Sequence, residues 1–574
     1  MKIKKSIRIV LGILLLGVLL LVFANIILKS IANPYLKQEI TKINEEKEYI
    51  LSVEDFNINI FLGRISLEGL NIEPKEEFLD SLVNGTTKER ALKAISISKI
   101  TFYGWTLLSY LTKKQIDVKK IIIDQLNFNL YRPQKNHQVE MVDKEKESSF
   151  SLDSIYISGV KKISLNEIKI ENYGFLIIDA SNMDTISAYK GNELIIDGID
   201  LEPVKDNTGY FHLDNSALEI RLQKQEFNLS GGLYVLNFEN LLYSFGDEHI
   251  SIDELNFEPR GSNAEVMGTF KYSSEVYEFA IKNISIGGFD LDPLIYSGVL
   301  YIDQIDIDSM TALIAKDKSK PFDLNKNTLL PQQSIKKLNQ PLYINKIEIT
   351  NSSLNYSEQE KTPKDLLSVD MTDVNISMTN ITSIQDSLNT NKDLVIDFKA
   401  TLSNATPLET HLVMPYNSRD GQFYFSGNTL GGTKFTKLNP TVFPAIGVKL
   451  LAGSLDGISW KAVGNNTIMD GSFTMLYTDL EVELLKKDSS ENKALSWMAN
   501  SLVKSSNPNK SGKTTVSTMH FERVPYKGIG NYLWKSIQSG IVNSLVPFGK
   551  HDATKTKKKV KNKPVKKNKS KNTN

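Results

Sequence analysis

The sequence predicts a mainly β protein behind an N-terminal membrane helix, with few short helices and one amphipathic helix near the C-terminus. Three observations carry that expectation. A single apolar run of membrane-spanning length opens the chain. An isoleucine-rich spacing with strand-like steps of two recurs six times. Only beyond residue 525 does a sustained apolar period of four appear.

The anchor comes first. Lys2, Lys4, Lys5 and Arg8 precede IVLGILLLGVLLLVFANIIL, Ile9 to Leu28, in which Asn25 is the one strongly polar residue. About 20 residues at 1.5 Å rise cover the hydrocarbon core of a bilayer. The cations before this run, against mixed charge after Lys29, predict a cytoplasmic N-terminus and a body on the far side. Val22-Phe23-Ala24 also resembles a signal-peptide cleavage site. The apolar run continues through Ile26, Ile27 and Leu28, longer than a signal core, so an uncleaved single-pass anchor is expected.

The repeats follow. In YINKIEITNSSLNY the apolar residues Ile344, Ile347, Ile349, Leu354 and Tyr356 sit at offsets 0, 3, 5, 10 and 12. Val118, Ile121, Ile123, Phe128 and Leu130 repeat them, as do Leu165, Ile168, Ile170, Phe175 and Ile177. Ile302, Ile305, Ile307, Ala312 and Ile314 match with one small residue. Leu62, Ile65, Leu67 and Ile72 match the first four places, and so do Ile97, Ile100, Phe102 and Leu107. A step of two keeps both side chains on one face of a strand, and β-branched isoleucine suits a pleated, half-buried surface. The five-residue step would flip faces, so it needs a turn or bulge, and Thr350-Asn351-Ser352-Ser353 supplies turn formers there. Each copy therefore reads as two short strand segments with one apolar and one wet face.

Strands also fill the gaps, as in IDFKATL from Ile396. Helical patterns are scarce: the anchor, Trp105 to Leu111, Ile40 to Glu48 and two segments near the C-terminus. Polar, charge-rich connectors are expected at Pro133–Ser149, Lys316–Gln333 and Lys504–Thr515. One-faced strands need a cover, and few helices are available to provide it. A sandwich, a closed sheet and an open groove whose lining a ligand covers all satisfy the pattern.

In PYKGIGNYLWKSIQSGIVNSLVPFG, Leu533, Ile537, Ile541 and Leu545 recur every four residues beside Tyr532 and Trp534. This predicts an amphipathic helix ended by Pro547 and Gly549. It either caps an exposed sheet end or lies on a membrane with its aromatic residues at the interface. From Lys550 to Asn574 there are eleven lysines and one aspartate, leaving the remainder near −9 against a net charge of +1. This tail has too few apolar residues to offset ordering entropy and should be disordered.

Composition excludes much chemistry. The chain has no cysteine, so disulfides, thiolate metal sites and thiol nucleophiles are absent. His137, His212, His249, His411, His520 and His551 form no HExxH or close ligand spacing, and there is no GxSxG elbow or P-loop. Gly528-Ile529-Gly530 lacks the third glycine of a dinucleotide fingerprint. No enzyme activity, cofactor, metal or nucleic-acid partner is expected.

The anchor followed by ILSVEDFNINIFLGRISLEGLNIEP resembles the start of AsmA-like proteins, with Gly63, Ile65, Leu67, Leu70 and Ile72 filling the places of the family's glycine and apolar layers. LAGSLDGISWKAVGNNTIMDGSFTMLYTDLEVELL, from Leu451 to Leu485, resembles the C-terminal region of the same superfamily, which includes TamB-type proteins. The resemblance covers most of residues 1–549 and rests on spacing of apolar residues and glycines. It implies an elongated, curved, repeat-built β-sheet forming an apolar groove, tethered to the inner membrane of a two-membrane bacterium with its body in the periplasm. It further implies a part in phospholipid transport between the membranes or in outer-membrane homeostasis. The groove lining would then be Ile121, Ile123, Ile168, Ile170, Ile305, Ile307, Ile347 and Ile349, with envelope or outer-membrane proteins as partners at the C-terminal end. The alternative is an envelope scaffold with a closed β-sandwich body. The expected segments are the anchor at 1–30, an AsmA-like N-terminal β region at 31–135, a linker at 136–150, the repeat groove at 151–315, a linker at 316–340, the C-terminal β region at 341–524, the helix at 525–549 and the tail at 550–574.

Overall fold

The computed structural model describes residues 40–545, save for 42–43, 45–47, 60–62, 88–90, 105–111, 133–154, 157–159, 204–209, 215, 230–231, 291–292, 295–298, 340, 360–365, 385–392, 404, 447 and 485–503. The anchor, the Pro133–Ser149 connector, the Trp105–Leu111 helix and the lysine tail fall outside the described residues. Among the described residues, no helix is long and apolar enough to cross a membrane. The chain is mainly β, mostly antiparallel, and forms two compact units. The first draws on residues up to Lys320, then Leu338–Pro363 and Asp370–Asn391; the second on Pro321–Lys337, Lys364–Val369 and residues from Lys392 onward.

The first unit opens with β1 (Tyr49–Ser52) and β2 (Asp55–Asn59), which lie end to end along one edge of β3 (Arg64–Pro74). β4 (Leu92–Tyr103) pairs antiparallel with β3 and with β5 (Gln115–Arg132). Beyond the two-residue β6 (Ile155–Tyr156), β7 (Lys162–Asp179) runs parallel to β5. β8 (Thr185–Asp197) and the short β9 (Asp200–Pro203) pair antiparallel with β7, and β9 joins β10 (Tyr210–Asp214). β11 (Glu219–Leu222) links β8 to β13 (Tyr234–Ser244), which also takes β12 (Gln225–Asn228). β14 (His249–Pro259), β15 (Glu275–Gly287) and β16 (Leu300–Asp317) continue as an antiparallel meander. β17 (Leu342–Gln359) then lies parallel to β16. The start of β17 bonds to the end of β18 (Leu366–Thr382), Thr382 Oγ1 donating to the Leu342 carbonyl at 3.1 Å. Two short helices, α1 (Glu76–Val83) and α2 (Asn263–Thr269), pack at strand ends, α2 entered through a capping box of Ser262 and Glu265.

The register explains the repeats. β5 and β7 pair with Val118 beside Leu165, Ile121 beside Ile168 and Ile123 beside Ile170. β16 and β17 do the same with Ile305 beside Ile347 and Ile307 beside Ile349. Each copy is thus one continuous strand of 18 residues in β5, β7, β16 and β17, rather than two short segments. The five-residue step is a bulge, not a turn. In four copies its extra residue sits at offset 7 within the strand, where Gly69, Gln125, Asn172 and Asn351 have φ between 50° and 65°. One extra residue restores parity, so Ile121, Ile123, Leu126 and Phe128 keep to one face. Asn240 and Asn283 adopt the same backbone at the matching places of β13 and β15, so the bulges align across neighbouring strands. Asn side chains tolerate this backbone by local hydrogen bonding. Asn240 Nδ2 donates to Asp253 Oδ2 at 2.9 Å and Asn351 Nδ2 to Asp308 Oδ1 at 2.7 Å.

In the second unit, β19 (Asp393–Leu402), β20 (Thr406–Pro415), β21 (Phe423–Lys434), β22 (Val448–Gly464), β23 (Ile468–Leu484) and β24 (Ser517–Glu522) form an antiparallel meander. Its apolar face carries Phe425, Trp460, Phe473 and Met519, all buried. The segment expected as a connector at Lys316–Gln333 is ordered instead. Lys316 and Asp317 finish β16, Leu330 is fully buried before α3 (Pro331–Lys336), and Thr328 N–H donates to the Pro525 carbonyl at 2.9 Å. The Lys504–Thr515 segment is fixed as well, since Asn507 Nδ2 donates to the Met475 and Thr515 carbonyls at 2.7 and 3.0 Å. Low apolar content pointed to connectors, but hydrogen bonds to backbone carbonyls tie both segments down. Two more helices complete the unit, α4 (Asn439–Ile446), whose Asn439 side chain brackets Leu450, and α5 (Ile529–Leu545).

Candidate functional site

The eight isoleucines singled out by spacing divide between two environments. Ile121 is 1% exposed and Ile123, Ile168 and Ile170 are 8% exposed. They belong to a cluster that runs from β1 to β9 and includes Leu51, Phe56 and Val160, with Leu201 packed against it. Protein side chains surround them. Ile305, Ile307 and Ile347 are only partly buried, while Ile349 is buried. Ile305 and Ile307 join a second cluster whose fully buried members are Phe238, Ile252 and Ile284. Every member of that cluster comes from β11 to β16, neighbours in one layer.

Register builds this second face row by row. Ile250, Ile286, Ile305 and Ile347 lie side by side on β14 to β17. Ile252, Ile284, Ile307 and Ile349 form the next row, and Phe257, Phe279, Ala312 and Leu354 a further one. The intervening positions, such as Ser251, Glu254, Lys282 and Asp306, point the other way because side chains alternate. At strand spacings of about 4.8 Å the rows from β13 to β17 cover roughly 19 Å across the strands.

Aromatic rings extend the face. Phe128, Phe175, Tyr189, Phe227 and Phe238 follow one another with centroids 5.4, 6.1, 5.6 and 5.6 Å apart. Tyr234, Phe257 and Phe279 continue at 4.7 and 5.8 Å. Towards the C-terminal ends of β16 and β17 the face becomes polar. Tyr277, 39% exposed, lies beside Ile314, and Ile314 beside Tyr356. One row further, Glu275, Lys316 and Glu358 are neighbours. Lys316 pairs with Glu275, Lys318 pairs with Glu358, and Tyr356 Oη donates to Glu358 Oε1 at 2.6 Å. Burial pushes the Tyr356 hydroxyl above the usual tyrosine range, helped by the adjacent Glu358 carboxylate, and burial raises Tyr277 with Glu275 adding to it. Both phenols are therefore proton donors at neutral pH.

The C-terminal helix meets its sheet through small side chains. Tyr532, Ser536, Gly540 and Ser544 are buried against β23 and β24. Ser544 and Ser517 hydroxyls lie 2.7 Å apart, and a Cβ on Gly540 would come within 2.5 Å of Phe473. The every-fourth row Leu533, Ile537, Ile541 and Leu545 is only partly buried, and Trp534 is 45% exposed. Apolar periodicity located the helix; the closest packing went to the serine and glycine row beside it, because small residues let helix and sheet approach.

The other face of the second unit is polar and holds a hollow of about 580 Å³ lined by Asp397, Lys399, His411, Asn428, Lys461 and Thr474, among others. His411 Nδ1 lies 2.7 Å from Asp397 Oδ1, and Lys399 Nζ 3.3 Å from Glu409 Oε1. These groups stand well exposed and satisfy one another. Among the described residues, no three His, Asp or Glu side chains assemble as a metal-holding group. No family model and no curated protein matches this chain.

Proposed function

We propose that this chain is a membrane-tethered envelope protein that carries phospholipid acyl chains on the apolar face of β13 to β17 and so contributes to lipid movement between inner and outer membranes. The observation behind the reading is a face of registered isoleucine and aromatic rows on which Ile250, Ile286, Ile305, Ile307 and Ile347 stay partly exposed. An apolar face of this extent, left partly exposed by the described residues, supports a binding surface. The energetics fit. Moving an acyl chain through water costs about 0.8 kcal/mol per methylene, or about 12 kcal/mol for sixteen carbons. An apolar strip that keeps the chain covered removes most of that barrier, while the head remains at the polar rim.

The anchor at residues 9–28 would hold the protein in the inner membrane, with the body in the periplasm. Trp534 and its exposed neighbours on α5 offer a contact for an envelope partner or a second membrane. The closed cluster of β1 to β9 supports a scaffold role for that part of the sheet, so Ile121, Ile123, Ile168 and Ile170 would hold the groove's frame. The decisive experiment is native mass spectrometry of the chain expressed from residue 31, without the anchor. Phospholipid adducts that survive detergent-free purification are expected; their absence in repeated preparations would overturn the reading.

A further inference from the structure

We infer that the lipid lies in one orientation, with its head at the rim formed by the ends of β16 and β17 and the start of β15, and that this head is zwitterionic. The inference rests on the lipid-carrying reading and adds polarity and head class to it.

Polarity changes in one direction along paired β16 and β17. At their start the neighbours are Leu300 with Leu342 and Ile302 with Ile344, and the apolar pairs Ile305 with Ile347, Ile307 with Ile349 and Ala312 with Leu354 follow. Ile314 with Tyr356 follows, and Lys316 with Glu358 ends the series. β15 repeats the change in reverse order, from Ile286 and Ile284 back to Tyr277 and Glu275. Because side chains alternate along a strand, Glu275, Tyr277 and Phe279 share a face, as do Ala312, Ile314 and Lys316. Charged groups therefore stand on the apolar side of the sheet at this rim. The Lys316 and Glu358 side chains are 13% and 12% exposed, so they are built into the wall rather than waving from it.

The rim suits an amphiphile's head. Tyrosine rings present an apolar body and a polar tip, which favours the boundary between acyl chains and head groups. Two ammonium groups and two carboxylates meet there, paired as Glu275 with Lys316 and Glu358 with Lys318. A purely anionic head approaching Lys316 and Lys318 would also meet both carboxylates, and like charges brought together in a partly buried site disfavour binding. A head carrying phosphate and ammonium can face both signs at once.

The test uses the full chain in nanodiscs with two photoactivatable phosphatidylcholines, one reactive in the head and one at the end of an acyl chain. Peptide mapping should place the head label on residues 275–279 and 354–358, and the chain-end label around Ile305, Ile307 and Ile347. Identical or reversed labelling would overturn the orientation. No labelling anywhere on β13 to β17 would instead remove the lipid-carrying reading beneath it. Unlabelled phosphatidylcholine should displace the head probe at least fivefold more effectively than phosphatidylglycerol; equal or opposite ranking would refute the head class.

Discussion

Aspartate pairs at two places in the same spacing pattern should give opposite outcomes, because the two isoleucine environments differ in burial. Ile121 and Ile168 are neighbours in the closed cluster, at 1% and 8% exposure. Replacing both removes about 1.5–3 kcal/mol of burial per side chain. It also leaves two carboxylates without partners in an apolar site, each costing several kcal/mol or remaining protonated. Against a folding free energy of about 5–15 kcal/mol, the I121D/I168D chain should fail to fold its first unit. Ile305 and Ile347 are neighbours on the partly exposed face. There the new carboxylates stay hydrated, so each substitution costs roughly 1 kcal/mol of lost apolar contact. Their mutual repulsion across adjacent strands adds roughly 0.2–1 kcal/mol. The I305D/I347D chain should therefore fold, with a lowered urea midpoint, and should lose bound phospholipid. Circular dichroism across a urea series reads the first outcome and native mass spectrometry the second. Collapse of both variants alike would refute the reasoning, because it would mean that protein covers the second face as it covers the first.

Three further outcomes follow from local geometry. Asn351→Gly should hold or raise stability, whereas Asn351→Val should cost about 1–2 kcal/mol or more, because φ of 50° suits glycine and disfavours a β-branched residue; urea midpoints compare them. Gly540→Ala should destabilise the second unit by about 1–3 kcal/mol despite alanine's better helix propensity, since the added methyl meets Phe473 at 2.5 Å; fluorescence of Trp460 and Trp534 during unfolding would report it, and a rise in stability would contradict the packing. Burial pushes Tyr173 and Tyr477 up to about 12, so the unfolded chain releases those protons near pH 10 while the folded chain keeps them. Their stabilising contribution is thus complete below pH 10 and is lost as pH rises towards 12, and tyrosinate absorbance should show a late phase that coincides with loss of ellipticity.

The spacing of Ile344, Ile347 and Ile349 was enough to announce strands, and the turn formers at Thr350–Ser353 announced a break in the pattern. What the break does is a matter of backbone angle. A lone asparagine at φ of 50° inserts one residue, and the strand runs on with its face restored. Which strands are neighbours was also written in the chain, though less openly. Two copies that share offsets over a long stretch belong side by side only if the strands are parallel, since antiparallel neighbours would carry the spacing reversed. Parallel neighbours need a long crossover. The polar stretches after Arg132 and after Asp317 lie in those two connections. Burial was not legible at all: Ile121 and Ile305 hold the same offset, and only the surrounding elements make one a fully buried residue and the other a partly exposed one.

The reversed spacing is present as well. β15 reads Tyr277, Phe279, Ile281, Ile284 and Ile286, the mirror of Ile305, Ile307, Met310, Ala312 and Ile314 on β16, and the pairing is interrupted at Asn283, whose φ is 53°. The complete forward copies on β5 and β7 and on β16 and β17 therefore mark the two parallel joints, whereas the shorter copies on β3 and β4 pair antiparallel. A bulge in one strand alone would turn its later side chains to the opposite face and break the apolar rows. Bulges aligned across β13, β15 and β17 keep every row intact while the strands bend together. The continuity that a long, oily ligand requires is thus a property of the shared spacing, which is why a substitution that removed one bulge, by deletion of Asn351, should disrupt the apolar row of β17 beyond Ile349 even though no isoleucine is touched.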